Sequence, residues 1–302
     1  MKIAVIGPGS MGLLYGFKLA ACADVVLIGN NKKNLDEIAA HGVTLKREGE
    51  ILHRQIPVLQ SGAAKAPADL VILFTKAYQT QQALEENRAL TGPDTVLLTL
   101  QNGAGHEAVL RQFVREDHVL IGTTAQGSSR ENAHTIIHSG LGDTVIGAVV
   151  PTQIDMEGIR AVFEQAGFPC IISDDIRYTV WNKLMINASS SALSGVLQVR
   201  QGIVAEDAHA WEICRDLIRE ICRTAAAEGC IFDEEEQVRR LAAHLKNAPN
   251  GYTSIYADLK NGRKTEAEFI TGAVVRAAEA HGLQVPVQKT LLHMILAMEG
   301  KQ

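Results

Sequence analysis

The chain opens with Lys2-Ile3-Ala4-Val5-Ile6-Gly7-Pro8-Gly9-Ser10-Met11-Gly12, an apolar run that leads directly into a glycine-rich turn. Apolar residues at helical spacing follow the turn, namely Leu13, Leu14, Phe17 and Leu19. Strand, glycine turn and helix is the context that the Gly-x-Gly-x-x-Gly fingerprint of dinucleotide-binding domains requires. The stretch therefore predicts a dinucleotide cradle, whose members are Gly7, Pro8, Gly9, Ser10, Met11 and Gly12.

Each glycine of this turn has its own physical role. Gly7 permits the tight turn after the strand, Gly9 lets the backbone approach a pyrophosphate, and Gly12 lets helix and strand pack closely. The phosphates would bind at the N-terminus of the helix, where backbone N–H groups and the helix dipole favour anions. A glycine-rich structural turn is the alternative, but the position directly after an apolar strand favours dinucleotide binding.

The end of the second strand, Asp24–Gly29, indicates which dinucleotide binds. In NAD-selective sites an acidic residue at this point accepts a hydrogen bond from the ribose 2′-hydroxyl. The chain instead continues Asn30-Asn31-Lys32-Lys33, with no carboxylate before Asp36. Because cations favour a 2′-phosphate, we predict NADPH, with Asn30 and Lys32 among the residues that bind it. Alternatively, the lysines only flank the start of a helix.

Further apolar runs at regular intervals extend the first domain. They are residues 42–45 and 54–58, interpreted as a hairpin, and residues 69–74, 95–100 and 119–122. Nearly continuous apolar runs are typical of central parallel strands, and open sheets of this kind bind ligands beyond the carboxyl ends of their strands. Lys76 and Asn102 follow two such ends, so we expect both to contact the cofactor, and Asn102 also a substrate oxygen. Asn102-Gly103 is otherwise a common turn signal.

The last strands of the first domain are predicted from residues 134–138 and 144–147, interpreted as an antiparallel edge pair. A helix over 159–165 and a strand over 168–172 follow, and the first domain is predicted to span residues 1–173. His134 and His138 could ligate a metal only on a helix, whereas the Thr and Ile between them favour a strand. No metal site is therefore expected.

From residue 174 helical patterns replace the strand patterns, so residues 174–302 are predicted to form an all-helical substrate and catalytic domain. Its helices include Trp211–Glu228 and one that opens with a capping box at Thr265-Glu266-Ala267-Glu268 and runs to Gly282. Thr253-Ser254 lies in a loop that enters another helix. The predicted fold class is α/β, with an N-terminal Rossmann-type doubly wound sheet and a C-terminal all-helical domain.

The stretch Trp181-Asn182-Lys183-Leu184-Met185-Ile186-Asn187-Ala188-Ser189-Ser190-Ser191 carries the candidate catalytic group. On a helix, Lys183, Asn187 and Ser191 stand at i, i+4 and i+8 and form one polar row. The apolar residues between them can be buried, so the row would look into a cleft, where a lysine can give up a proton. The alternative is a solvated lysine on an ordinary amphipathic helix.

Composition limits the classes of partner. At 302 residues the chain is long enough for two domains, and its net charge of −5 provides no basic surface for nucleic acid or an anionic membrane. No apolar run approaches the length of a membrane span, so we expect a cytoplasmic protein with a small-molecule substrate. The five cysteines are widely spaced, which indicates reduced thiols rather than a disulfide framework. Pairing into a homodimer is left open.

In their order and spacing, these motifs resemble the ketopantoate reductase family (2-dehydropantoate 2-reductase), and the resemblance covers nearly the whole chain. The motifs are Gly7-x-Gly9-x-x-Gly12, Leu100-Gln101-Asn102-Gly103, Trp181-x-Lys183-Leu184-x-x-Asn187, Ser254 with Thr265-Glu266, and Ala280-His281-Gly282-Leu283-Gln284-Val285-Pro286. The resemblance implies NADPH-dependent reduction of 2-dehydropantoate to (R)-pantoate, on the route to pantothenate and coenzyme A.

By position, the resemblance makes Lys183 the general acid and Asn102 a ligand of cofactor and substrate. The other contacts that it implies are those of Asn187 and Ser254 with substrate, and of Glu266 and the Ser128 backbone with the cofactor. These residue types suit the chemistry, because hydride addition to a ketone leaves negative charge on oxygen, which Lys183 can stabilise and then protonate. The hydroxyl of Ser191 can help to bind the substrate carboxylate or hydroxyl.

The chain departs from the family pattern at three positions. Ser191 stands where a second Asn is common on the lysine helix, Gln201-Gly202 where Asn-Gly is frequent, and Asn30 where a cofactor-selecting Arg is common. The first two leave the identity of the 2-oxo acid open, and the third weakens the preference for NADPH over NADH. A reductase of another branched 2-oxo acid and an NADPH-binding sensor without turnover are the competing interpretations.

Overall fold

The computed structural model describes residues 1–300 and divides into two compact units. The first comprises residues 1–101 and 106–179, and the second comprises residues 102–105 together with the chain from residue 180. The sequence prediction placed the domain boundary at residue 174, just before a helix that begins at Ile176 and spans the division. Among the described residues, no helix is both long enough and apolar enough to cross a membrane.

The first unit alternates strands and helices. Its strands are β1 (Lys2–Ile6), β2 (Asp24–Gly29), β3 (Val43–Arg47), β4 (Glu50–Arg54), β5 (Val58–Gln60), β6 (Leu70–Leu73), β7 (Val96–Thr99), β8 (Val119–Thr124), β9 (Gly127–Arg130), β10 (Thr135–Gly140), β11 (Thr144–Ala148) and β12 (Cys170–Ile172). Its helices are α1 (Ser10–Leu19), α2 (Lys32–His41), α3 (Thr80–Glu86), α4 (Glu107–Leu110) and α5 (Met156–Gln165).

The larger sheet has eight strands in the order β12-β11-β8-β7-β6-β1-β2-β5. From β5 to β8 all neighbours are parallel, whereas β11 runs antiparallel to β8 and parallel to β12. The order β5-β2-β1-β6-β7-β8 is that of a Rossmann sheet, in which the chain reverses its direction of growth beside the first strand. The predicted fold class is confirmed, and the glycine turn after β1 lies where such sheets bind ligands.

Tyr15 connects α1 to strands β8 and β11 of this sheet. Its ring is fully buried and stacks on Phe168 with 4.1 Å between centroids. Its hydroxyl bonds Thr124 at 2.8 Å and Thr144 at 2.6 Å, so the helix is tied to β8 and β11. Burial raises the pKa of Tyr15 to about 12, which keeps the hydroxyl neutral. The helix that begins at the glycine turn is therefore held in one position.

The smaller sheet has the order β4-β3-β10-β9 and corrects the predicted hairpin. A hairpin is present, but β3 pairs with residues 50–54. Its turn is Glu48-Gly49, with φ of 46° and 85°, and positive φ at both positions suits a two-residue turn that follows strand twist. Val58, predicted to end the second strand of the hairpin, instead begins β5 at the edge of the larger sheet.

The predicted pairing of residues 134–138 with 144–147 is wrong. β10 pairs with β3 and β9 in the smaller sheet, whereas β11 pairs with β8 and β12 in the larger one. Gly127 and Gly140 face each other in the smaller sheet so closely that a Cβ on Gly140 would lie 2.9 Å from the Gly127 nitrogen. Alternating apolar residues identify a strand but not its partner, which is why the sequence misassigned this pair.

The second unit is helical, as predicted. Its elements are α6 (Ile176–Ile186), a π-helical segment (Asn187–Ser191), α7 (Ala192–Leu197), α8 (Gln201–Glu206), α9 (Ala208–Ala227), α10 (Glu234–Asn247), α11 (Ser254–Lys260), α12 (Thr271–Ala280) and α13 (Pro286–Glu299). α6, the π-helical segment and α7 follow one another without a break, so the lysine stretch is helical throughout. α9 covers the predicted helix Trp211–Glu228 except for Glu228, which is the C-cap and precedes Gly229, whose φ is 86°.

The helix predicted to open at Thr265 begins instead at Thr271. The N–H and the hydroxyl of Thr265 both bind Glu299, at 2.8 and 2.5 Å, and the Ala267 N–H donates to the same hydroxyl at 3.0 Å. Residues 265–270 form turns in which Phe269 donates to the Glu266 carbonyl at 2.9 Å. The capping-box prediction is therefore wrong, because a carboxylate distant in sequence binds the threonine.

Candidate active site

Of the three glycines in the turn after β1, only Gly9 borders open space that a ligand could occupy. A Cβ on Gly12 would lie 2.1 Å from the Gly7 carbonyl oxygen, and one on Gly7, whose φ is +94°, would lie 2.5 Å from the Thr75 nitrogen. A Cβ on Gly9 would meet no atom of the described chain within 4 Å. Gly9 is also the N-cap of α1 and has no side chain to bind the first N–H groups of the helix. The turn therefore fits a pyrophosphate.

The end of β2 borders this turn. A Cβ on Gly29 would lie 2.9 Å from the ring of Pro8, so the strand end and the turn are in direct contact. Asn30 follows, is exposed, and accepts a hydrogen bond from the side chain of Gln60 on its carbonyl at 3.0 Å. Asn30 thus follows the residue that adjoins the predicted cradle.

The lysines that follow are at the start of α2. Asn31 caps this helix by accepting a hydrogen bond from the Asn34 N–H at 3.0 Å. The Lys32 ammonium bonds both oxygens of Asp36 at 2.8 Å, with both side chains exposed. This is the arrangement that the alternative interpretation described. An exposed pair of this kind contributes little, so Lys32 can leave Asp36 for a phosphate at small cost.

Two other predicted cofactor ligands belong to the first unit. Lys76 is half-buried one residue after Thr75, whose nitrogen abuts Gly7. Ser128 lies on β9, opposite His138, and α1 packs against this strand. The Oγ of Ser128 is buried and has no hydrogen-bond partner within residues 1–300. The structure thus places Lys76 beside the turn and leaves Ser128 with one unsatisfied hydroxyl.

Lys183 is half-buried on α6 and is followed by the buried residues Leu184 and Met185. Burial lowers the pKa of its ammonium to about 8, and the Glu266 carboxylate opposes this shift. An ammonium with a pKa near neutrality gives up a proton more readily than an ordinary lysine. Lys183 is therefore not a fully solvated surface lysine.

The π-helical segment affects the polar row that was predicted on the lysine helix. Two turns of α-helix take about seven residues, so Ser191, which is eight positions after Lys183, would be rotated off the face of Lys183 in an uninterrupted α-helix. A π-turn absorbs one extra residue. The π-turn therefore rotates Ser191 relative to its position in an uninterrupted α-helix. Asn187 is half-buried and Ser191 is 8 % exposed.

The segment 102–105 belongs to the second unit, although the chain before it, including β7, belongs to the first. Gly103 has a φ of +103°, and a Cβ there would lie 2.1 Å from the Phe269 carbonyl oxygen. The same oxygen accepts a hydrogen bond from the Ala104 N–H at 3.0 Å. Asn102 is thereby held against the turn that begins at Glu266. The sequence had assigned Asn102 to the first domain as a strand-end residue.

The remaining predicted substrate ligand is joined to the lysine helix by its neighbour. Thr253 caps α11 and donates its hydroxyl hydrogen to the Ser191 carbonyl at 3.1 Å. Ser254 is the next residue and is exposed. The loop before it is fixed by Gln201-Gly202, whose N–H groups donate to the carbonyls of Gly251 and Pro249, both at 2.9 Å. Six predicted site residues belong to the second unit, namely Asn102, Lys183, Asn187, Ser191, Ser254 and Glu266.

Sequence reasoning missed the contacts that hold these groups. Thr253 was predicted only to lie in a loop that enters a helix, and Glu299 was not considered at all. No local pattern marks either role, because each joins residues far apart in the chain.

Histidines and cysteines have other partners. The ring of His138 hydrogen-bonds Gln126 at 2.7 Å, and His134 packs against His41 with 5.1 Å between ring centroids. Within the described part of the chain, no group of three or more His, Cys, Asp and Glu side chains is placed to hold a metal ion. All five cysteines are free thiols, and four of them are buried.

The sequence of the chain matches known proteins over both units. The sequence model described as ketopantoate reductase PanE/ApbA matches residues 3–151, and the model of the C-terminal part of the same family matches residues 175–299. A 2-dehydropantoate 2-reductase from Halobacterium salinarum is 32% identical, with 98% of each chain covered.

Solved structures show the same fold over the full length. A D-mandelate dehydrogenase, determined with NADH and anilino(oxo)acetate, superposes with a TM-score of 0.95 at 26% identity, covering 100% of this chain and 99% of that one. A PanE/ApbA family ketopantoate reductase from Ralstonia eutropha JMP134 gives a TM-score of 0.90 at 27% identity, with the same coverage. Since both halves of the chain match the family in order and over their full extent, the chain belongs to the ketopantoate reductase family of oxidoreductases.

Proposed function

We propose that the protein reduces 2-dehydropantoate to (R)-pantoate with NADPH, on the route to pantothenate. The observation that carries this proposal is Lys183, a half-buried ammonium whose pKa is lowered to about 8 and which is associated with Asn187, Glu266 and the Asn102 segment in one helical unit. A ketone reductase needs an acid of this kind, together with neutral donors for the substrate carboxylate.

The residues of the chain supply binding, orientation and a proton. Bound NADPH supplies the hydride, and the turn at Gly9 and the N-terminus of α1 suit its pyrophosphate. Lys183 directs its ammonium to the ketone oxygen, stabilises the negative charge that develops there and then protonates it. Asn187 donates to the substrate, and its amide stays neutral at every pH at which the enzyme works.

The other polar groups orient the substrate and the cofactor. Asn102 donates to substrate and cofactor from a segment whose backbone is fixed by Phe269. Ser191 and Ser254 offer hydroxyls to the carboxylate or the hydroxyl of the acid. Glu266 contacts the cofactor and keeps Lys183 protonated by raising its pKa against the effect of burial.

A panel of 2-oxo acids, followed by the loss of NADPH absorbance, tests this function. We expect the highest kcat/KM with 2-dehydropantoate. A higher value with another branched 2-oxo acid would identify a related reductase, and binding of NADPH without turnover of any acid would identify a sensor. The elution volume of the purified protein, measured alongside, shows whether it forms the homodimer that the sequence left open.

A second candidate is an NADH-dependent reductase of an aromatic 2-oxo acid, and two observations favour including it. The structure with a TM-score of 0.95 is that of a D-mandelate dehydrogenase bound to NADH. In addition, Lys32 is paired with Asp36 and the residue after β2 is the neutral Asn30. The panel should therefore include phenylglyoxylate, and each acid should be run with both cofactors.

Replacement of Asn30 by aspartate is expected to shift the cofactor preference toward NADH. The new carboxylate would accept a hydrogen bond from a ribose 2′-hydroxyl and repel a 2′-phosphate. We expect the ratio of kcat/KM for NADPH to that for NADH to fall by about tenfold or more, which corresponds to roughly 1.4 kcal/mol. Asn247→Asp is the control, because it makes the same charge change at an exposed position of α10. An unchanged ratio in Asn30→Asp would place the ribose elsewhere.

Replacement of Glu266 by glutamine is expected to lower the pKa that governs the alkaline side of the activity profile. Burial already lowers the pKa of Lys183 to about 8, and without the opposing carboxylate it falls further. A general acid works only while protonated, so kcat/KM should begin to decline at a lower pH than in the unaltered protein. Glu268→Gln, on the same turn and paired with Lys264 at 3.2 Å, is the control. An alkaline limb that stays in place would separate Glu266 from the acid.

A further inference from the structure

The carbonyl groups in and beside the π-helical segment accept hydrogen bonds from side chains. The donors are Ser189 to the carbonyl of Met185, Ser190 to Ile186 at 3.3 Å, Gln288 to Ala188 at 3.1 Å, and Thr253 and Ser194 to Ser191, both at 3.1 Å. A π-turn displaces the backbone bonds of an α-helix, and buried carbonyls must find other donors. Side chains therefore help to decide where along the helix this turn forms.

Gln288 differs from the other donors in this set. The serines lie on the lysine helix itself, whereas Gln288 reaches it from the first turn of α13, across a long separation in sequence. Its side chain is fully buried, with 0 % exposed, and its Nε2 binds the carbonyl of Ala188, the residue after Asn187. Removal of the amide would leave that carbonyl buried without its donor, which destabilises the local backbone arrangement.

Glu220 fixes Gln288 from a third helix. Its carboxylate is 7 % exposed and accepts hydrogen bonds from the N–H groups of Val287 at 2.9 Å and Gln288 at 2.8 Å. These N–H groups are at the N-terminus of α13, where the helix dipole favours a negative charge. A carboxylate that binds two N–H groups is a strong and directional contact. α9, α13 and the lysine helix are therefore connected by one buried polar chain.

We propose that Gln288, held by Glu220, is a positioning residue for the reduction. Its amide fixes the π-turn at Ala188 and thereby sets the orientation of Asn187 relative to Lys183, one turn earlier on the same helix. The inference rests on the proposed function, in which Lys183 protonates the ketone oxygen while Asn187 holds the substrate. Displacement of a positioned group by about 1 Å can cost on the order of 10²-fold in rate, so a remote buried amide can affect turnover strongly.

The test is Gln288→Met, which keeps the length and nearly the volume of the side chain but removes the donor. We expect kcat/KM with 2-dehydropantoate to fall by about 10- to 100-fold, with a raised KM for the acid, while the dissociation constant of NADPH changes by less than about twofold. The matched control is Gln237→Met on α10, a buried glutamine with 5 % exposure in the same unit, which should leave kcat/KM unchanged.

The outcomes separate this proposal from the function on which it rests. Equal kcat/KM values for Gln288→Met and Gln237→Met overturn the positioning role, as does an equal loss of NADPH binding and turnover, which would indicate general disruption. An unaltered protein that turns over none of the acids overturns the proposed function first. If Gln288→Met does not fold, Gln288→Glu replaces it. Its carboxyl can donate to the Ala188 carbonyl only when protonated, so activity should gain a dependence on low pH that Gln237→Glu lacks.

Discussion

Replacement of Lys183 by alanine is expected to lower kcat by roughly 10²–10⁴-fold, the usual contribution of a positioned general acid. The alkoxide that forms on hydride addition would have to take its proton from water, without a cation to stabilise the charge. Binding of NADPH should be retained, because its predicted pyrophosphate site is in the first unit. Single-turnover rates and a fluorescence titration of NADPH measure the two effects separately.

The control for this variant is Lys246→Ala, which removes an exposed lysine from α10 in the same unit. It should leave both rate and affinity unchanged. A rate close to normal in Lys183→Ala would remove this lysine from the mechanism. Loss of NADPH binding together with turnover would assign it to the cofactor site instead.

Replacement of Gly12 by alanine is expected to lower the stability of the protein strongly. The added Cβ would lie 2.1 Å from the Gly7 carbonyl oxygen, and backbone atoms on both sides cannot move without disturbing β1 or α1. Overpacking of this kind costs about 3 kcal/mol. Urea unfolding of the first unit, followed by circular dichroism, should show the loss, and dinucleotide binding should disappear with it.

Gly9→Ala is the matched comparison, because it adds the same methyl group three residues earlier. No atom of residues 1–300 would lie within 4 Å of that Cβ, and Gly9 has a φ of −76°, which alanine adopts freely. We therefore expect stability to stay the same while the affinity for NADPH falls by about tenfold or more, since the methyl group occupies the approach of the pyrophosphate. Unchanged affinity in a stable Gly9→Ala protein would show that the phosphates bind elsewhere.

These paired variants illustrate which local features could be predicted from sequence. The glycine spacing requires a tight turn, an open position and a closely packed helix in that order, and the structure shows those three environments at Gly7, Gly9 and Gly12. The continuous apolar runs of β6 and β7 likewise predicted central strands, and both are buried along their whole length. In each case neighbouring residues alone decide the conformation.

Predictions failed where a partner distant in sequence decided the outcome. Thr265 has the pattern of a helix cap but is bound by Glu299, so the helix starts later. Strand β10 has the alternation of an edge strand but pairs with β3, outside the larger sheet. The pattern of a strand or a cap gives the local preference, and the partner that satisfies its hydrogen bonds is selected by the rest of the fold.

By itself, the sequence determined the Rossmann-type class of the first unit, the helical second unit and the position of Lys183 on a helix, because apolar periodicity and glycine turns act over short distances. Only the tertiary structure decided the pKa of Lys183, the hydrogen bond between the Asn102 segment and the turn that begins at Glu266, and the π-turn beside Asn187. Burial, the field of a distant carboxylate and a hydrogen bond from another helix produce these features. None of the three exists until the chain has folded.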